Sequence, residues 1–152
     1  MGERLEFDGV TSIEGHMLLP KGTYAFEIDS VNPNYMSKGS EEKAPSRALE
    51  LKCHVIEGVD FDDGTSTSGM ERTMRLWFPT AVQKDGGNSC ARRFVEFGNA
   101  CDASVSYDKD SKRVVVEDID EFIGARFVCT VAYQVYNGNN QEDYKNFKVY
   151  SA

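Results

Sequence analysis

Lys52 and His54 alternate on one strand-like run of this chain, and Arg75 and Trp77 alternate on the next. Side chains two apart on a strand share a face. Two neighbouring strands would therefore gather an indole, two cations and an imidazole on one surface. Such a set suits a single-stranded polynucleotide. A base stacks on the ring, the cations meet phosphate, and each stacked base is worth roughly 1–3 kcal/mol. Lys38, Lys43 and Arg47 stand in and beside a Ser- and Gly-containing loop ahead of the first run, where they would clamp the backbone. Lys145, Lys148 and Tyr150 stand on the last strand-like run and would lengthen the track. Each residue also has a plainer reading. Trp77 could be partly buried against the N-terminal segment, and Arg75 could pair with Glu50 across the strands. Lys38 and Lys43 could pair with Glu41 and Glu42, and Tyr136 and Tyr150 could cover a sheet edge.

Catalytic patterns are missing from the sequence. It has no G-x-S-x-G, no H-E-x-x-H and no phosphate-binding glycine loop. Its two histidines, His16 and His54, stand beside no marked nucleophile. The expectation is a non-enzymatic protein with no cofactor. Metal binding is not expected either. The four cysteines (Cys53, Cys90, Cys101 and Cys129) form no C-x-x-C pair. Cys53 and Cys129 fall in phase with apolar neighbours, as small core residues do. Cys90 and Cys101 flank the helix-like run, and a disulfide between them would be unusual in a reducing compartment. Asp60-Phe61-Asp62-Asp63-Gly64, followed by Glu71, resembles a calcium loop only faintly: its glycine comes one position early and no helices flank it. A solvated hairpin loop is the expectation there.

The formal net charge is −8 over 152 residues. That argues against phosphate binding by the chain as a whole, but the acids are bunched. Glu41-Glu42, Asp60 to Asp63, Asp108 to Asp110, Glu117 to Glu121 and Glu142-Asp143 fall mostly in expected loops. Net charge governs solubility and long-range steering, whereas local potential decides where a polyanion docks. No run of about 18 apolar residues exists to span a membrane, and Met1 to Glu6 lacks a signal pattern. A cytoplasmic protein is expected, with no membrane partner.

Positioning these residues falls to a simple order of elements. Strand-like alternation covers Thr23 to Val31, stopped by Asn32-Pro33-Asn34, then Ala48 to Glu57 and Met70 to Phe78. A helix-like run from Cys90 to Ala100 follows, with Asn88 or Ser89 as its cap. Ala103 to Tyr107 pairs with Val114 to Val116 in a short excursion, and Asp118 to Phe122 makes one helical turn with Ile119 and Phe122 inward. Two more strands complete the chain: Ala125 to Tyr136 and, after an Asn137-Gly138 hairpin signal, Tyr144 to Tyr150, with Phe147 and Val149 inward. The order β-β-β-α-β-β predicts a mainly β fold. Its expected form is a five-stranded Greek-key barrel of the oligonucleotide/oligosaccharide-binding type (OB-fold), with one helix between strands three and four. Residues 1–20 read as an N-terminal extension and 21–152 as the OB-fold domain.

Several short pieces, in order, carry a family resemblance. They are Lys21-Gly22-Thr23-Tyr24, Ala48-Leu49-Glu50-Leu51, Val55-Ile56-Glu57-Gly58 and Arg75-Leu76-Trp77-Phe78. Further on come Phe97-Gly98-Asn99-Ala100, Phe122-Ile123-Gly124-Ala125-Arg126-Phe127, Val135-Tyr136-Asn137-Gly138 and Phe147-Lys148. Together they resemble small phage-encoded proteins of the single-stranded-DNA-binding type, a group often described only as a domain of unknown function. The resemblance implies an OB-fold protein of a phage replication or recombination module that coats exposed single strands and works beside other proteins of that module. Bacterial single-strand binders usually end in an acidic tail, whereas this sequence ends Val149-Tyr150-Ser151-Ala152, so recruitment through a tail is not implied. An unpaired edge on the last strand would allow a homo-oligomer. The alternatives are a small structural virion component using a β-barrel for protein contacts, and an acidic adaptor or inhibitor of a basic host protein.

Overall fold

The computed structural model describes residues 2–6, 17–39, 44–80, 85–136 and 138–151. Its elements are β1 (Gly22–Met36), β2 (Arg47–Glu57), β3 (Glu71–Trp77), α1 (Asn88–Ala100), β4 (Val105–Asp108), β5 (Arg113–Val116), a 3-10 turn (Ile119–Phe122), β6 (Arg126–Tyr136) and β7 (Asn139–Val149). Five strands form one antiparallel sheet in the order β3-β2-β1-β6-β7, and β4 pairs with β5 in a second, two-stranded sheet. The fold is mainly β with one α-helix among the described residues.

Period-two alternation determines the inner face. Tyr24, Phe26 and Ile28 on β1, Leu49, Leu51, Cys53 and Val55 on β2, Met74 and Leu76 on β3, and Phe127, Cys129 and Val131 on β6 are all buried. Burying each large apolar side chain contributes roughly 1.5–3 kcal/mol. The helix lays Phe94, Phe97 and Ala100 against this face. Phe97 lies at the centre of an aromatic cluster, its ring 4.8 Å from Phe127, 5.0 Å from Phe147 and 5.8 Å from Phe122. Gly98 lets α1 approach β4 closely, since a Cβ there would stand 2.5 Å from Val105 Cβ.

The sheet is curled until side chains of its two edge strands meet. Backbone pairing leaves β3 and β7 as edges, yet Arg72 on β3 donates from Nε to Glu142 Oε1 on β7 at 2.8 Å. Both side chains are well covered, at 10% and 6% exposure. The segment before β1 fills the same gap. Leu19, fully buried, donates its backbone N–H to Glu142 Oε2 at 2.6 Å, and its carbonyl accepts from the Tyr133 hydroxyl at 2.7 Å. Arg72 Nη2 donates to the Met17 carbonyl, and the Tyr24 hydroxyl donates to the Pro20 carbonyl at 2.6 Å. Residues 17–20 of the predicted extension are thus fastened to the strands, while residues 7–16 lie outside the described residues.

Four expectations are corrected. First, β1 does not stop at Asn32-Pro33-Asn34 but runs to Met36. Beyond Ile28, which still bonds the backbone of Gly124 and Ala125, its pairing is with β2 alone, so the missing N–H of Pro33 costs no ladder bond on the open side. Second, β7 begins at Asn139 rather than Tyr144, because Tyr136↔Asn139 pairing continues the ladder up to a two-residue turn whose Gly138 has φ 79°. Third, Val149 is 64% exposed; it pairs with the inward Phe127 and lies beside the C-terminal end of α1, but at the end of an edge strand it is left uncovered. Fourth, neither Asn88 nor Ser89 caps α1. Gly87 is the N-cap residue at φ 85°, and the cap acceptor is Asp85, which takes the Ser89 N–H at 2.9 Å and the Gly87 N–H at 3.1 Å. Hydrogen bonds from the Ser89 hydroxyl and amide hold the Asp85 carboxyl below its usual range.

Candidate nucleic-acid interface

Register between β2 and β3 decides which side chains stand together. Ala48 pairs with Trp77, Glu50 with Arg75, Lys52 with Thr73 and His54 with Glu71. All face away from the core, since the intervening Leu49, Leu51, Cys53, Met74 and Leu76 are buried. Lys52, His54, Arg75 and Trp77 therefore share the outer face. On the other side of β2, β1 pairs Tyr35 with Ala48. Tyr35 and Trp77 flank Ala48, which is fully buried, and their rings meet edge-on with centroids 6.0 Å apart at 65°. Both rings are half-buried, so each keeps an accessible surface.

One cation stacks directly on this pair. The Arg75 guanidinium lies 4.1 Å from the Tyr35 ring centroid, close enough for cation–π attraction. Its Nε also donates to Glu50 Oε2 at 3.2 Å, so the cross-strand ion pair read as an alternative is present as well. Arg47 donates to the Pro33 carbonyl and to Asn34 Oδ1, both at 2.9 Å, and sits 4.8 Å from the Phe78 ring centroid. Lys52 is exposed, opposite Ser30 and Thr73, and takes part in no ion pair among the described residues. Lys38 is exposed beyond the end of β1, and Lys43 lies outside the described residues.

His54 looks the other way, into an acidic patch. Its Nδ1 is 2.8 Å from Asp29 Oδ1 and its Nε2 is 3.7 Å from Glu27 Oε2. Glu27 also accepts from Arg126 Nε at 2.9 Å. These three potential ligands (Glu27, Asp29 and His54) have donor atoms within 4.8 Å of one another. They face opposite nitrogens of one imidazole, and Arg126 already engages Glu27, so the cluster is satisfied within itself.

Lys145 and Lys148 are exposed on the far side of the same face, beside Thr130 and Val128 of β6. The Tyr150 hydroxyl donates to Glu57 Oε1 at 3.1 Å, and its ring lies 5.7 Å from the Arg126 guanidinium. The outer face thus has basic residues at both sides and Glu27, Asp29 and Glu57 toward its middle. Trp77, Arg75, Lys52 and Arg47 gather at one side; Lys145, Lys148 and Tyr150 lie at the other.

Tyr35 lies past Asn32-Pro33-Asn34, where the sequence pattern ends the first strand. Three register shifts, after Ala25, after Ile28 and after Asn32, also disturb the pairing of this strand with β2, so alternation counted from Tyr24 is no guide to Tyr35. Its aromatic character close to a Pro was the one available signal.

Against known proteins, no family model matches the chain and no curated protein matches it.

Proposed function

We propose that this protein binds single-stranded DNA without sequence preference through the outer face of β2 and β3, as a non-enzymatic component of a phage replication or recombination module in the host cytoplasm. The observation that carries the reading is the half-buried Tyr35–Trp77 pair with Arg75 stacked on Tyr35, together with Arg47 at the start of β2 and Lys52 exposed farther along it. A base stacks on either ring, whatever its identity, because every base has a π-face. The cations meet the phosphates on either side. The sheet order supports it as well. With β6 and β7 as fourth and fifth strands, it is the order of a five-stranded OB barrel, a fold that binds oligonucleotides on strands two and three and on the loops joining strands one to two and four to five. Lys38 and Arg47 flank the first of those loops.

A second reading is favoured by the acidic patch at Glu27, Asp29 and Glu57: an adaptor or virion component that docks a basic protein on the same face. One titration separates them. Adding a single-stranded thymidine oligonucleotide should quench Trp77, the one tryptophan of the sequence. If three cations each neutralise a phosphate, log K should fall against log salt with a slope of about −2. No quenching and no binding at low salt would eliminate the DNA reading and leave the protein-docking one.

A further inference from the structure

A cavity of about 570 Å³ opens beside the aromatic pair, between the N-terminal end of α1, the end of β3 and the β4–β5 hairpin. Its size is that of a small-molecule site, roughly 300–1,000 Å³. Phe78, Phe94 and Tyr107 give it aromatic walls, Ala91 opens space on the helix side, and Lys112 and Arg113 stand among its lining residues. Tyr107 is exposed and the Phe78 and Phe94 rings are 5.7 Å apart.

Two observations decide what fits. The first is charge. Lys112 and Arg113 are exposed and enter no ion pair among the described residues. Two acids of the flanking turns are engaged locally: Asp108 accepts from the Asp110 N–H at 3.0 Å, and Asp85 accepts from Ser89 and Gly87. The second is continuity. Phe78 follows Trp77 directly, its N–H bonds the Arg47 carbonyl at 2.9 Å, and the Arg47 guanidinium lies 4.8 Å from its ring. Arg47 and Phe78 thus connect the outer face to the cavity.

We infer that the cavity receives one nucleotide of the bound single strand, its base among Phe78, Phe94 and Tyr107 and its phosphate at Lys112 and Arg113. This rests on the DNA-binding reading and extends it. The strand leaves the Tyr35–Trp77 rings, passes Arg47 and turns one base out of the stack. Asp85 occupies the helix N-terminus, which places the phosphate on the hairpin side of the opening.

The test uses the full chain and the thymidine oligonucleotide, with Trp77 quenching reporting the platform. Lys112→Glu with Arg113→Glu should weaken binding at least tenfold and flatten the salt slope by about 0.7, since one single-strand phosphate contact contributes about 0.7. Ala91→Phe, which fills the cavity without changing charge, should weaken binding as well. Tyr107→Ala provides the same readout should Ala91→Phe fail to fold by circular dichroism. A 5-iodouracil oligonucleotide should cross-link to the peptide holding Tyr107. Unchanged affinity and slope in folded variants, with Trp77 still quenched and no cross-link at Tyr107, would overturn the cavity assignment while the platform survives. An unquenched wild-type protein that fails to bind would overturn the platform and the cavity together.

Discussion

Trp77 meets Tyr35 edge-on above a buried Ala48, so its indole has two duties. It covers the outer side of β2 and β3, and it offers a ring surface to solvent. Trp77→Ala should separate them. The lost ring pair is worth about 0.5–1.5 kcal/mol to the fold, which a domain of this size withstands. The lost base stack is worth roughly 1–3 kcal/mol, about a 5- to 150-fold drop in affinity. The expected result is a folded variant, seen by circular dichroism, with weaker oligonucleotide binding by anisotropy; a variant that unfolds would mark Trp77 as structural. Arg75 shows the same duality, stacked on Tyr35 and paired with Glu50. The sequence alternation placed Arg75 and Trp77 together correctly, because β2 and β3 pair without a bulge over Ala48 to His54. It could not place Tyr35, because β1 shifts register three times before reaching it.

Among the elements, β3 and β7 share the most buried ion pair of the described residues. Glu142 accepts from Arg72, from the Leu19 amide and from the Tyr144 hydroxyl, joining both sheet edges and the segment before β1. Burial, with Glu142 beside it, pushes the Tyr144 hydroxyl well above its usual range. Removing one partner of a buried pair strands the other charge, at about 3–5 kcal/mol. Glu142→Ala should lower the unfolding free energy by that much, read as a lower urea midpoint, and Arg72→Met with Glu142→Leu should recover most of the loss, because the unpaired charge is then gone. A Glu142→Ala midpoint within error of wild type would show that the edges hold without the pair. This contact was hidden from sequence reading. By sequence Glu142-Asp143 resembles the other loop acid pairs, yet Glu142 lies on the ladder opposite Tyr133 and turns toward the core.

For the whole molecule, the core predicts an alkaline limit. Burial pushes the Cys101 and Cys129 thiols from 9.0 up to about 12. Tyr24 rises from 10.0 to about 12, through burial first and then the nearby Tyr133 and Glu142. An unfolded chain would release these protons near the lower values while the native chain keeps them. Above pH 9 the native state therefore binds more protons, and stability falls as pH rises toward about 12, by up to about 1.4 kcal/mol per pH unit for each such group. Urea midpoints should be level up to about pH 8.5 and drop steadily above it; a flat profile to about pH 11 would show these groups titrating alike in both states. No helix among the described residues is long and apolar enough to cross a membrane. The order of elements, the inner-face residues of β1, β2, β3 and β6 and the Asn137-Gly138 turn were legible in the sequence alone, because period-two burial and turn chemistry act between neighbours along the chain. The Tyr35–Trp77 pair, the Arg72–Glu142 bridge and the cavity between α1 and the β4–β5 hairpin were decided by the tertiary structure, because register shifts and the curl of the sheet set distances between residues that no local pattern relates.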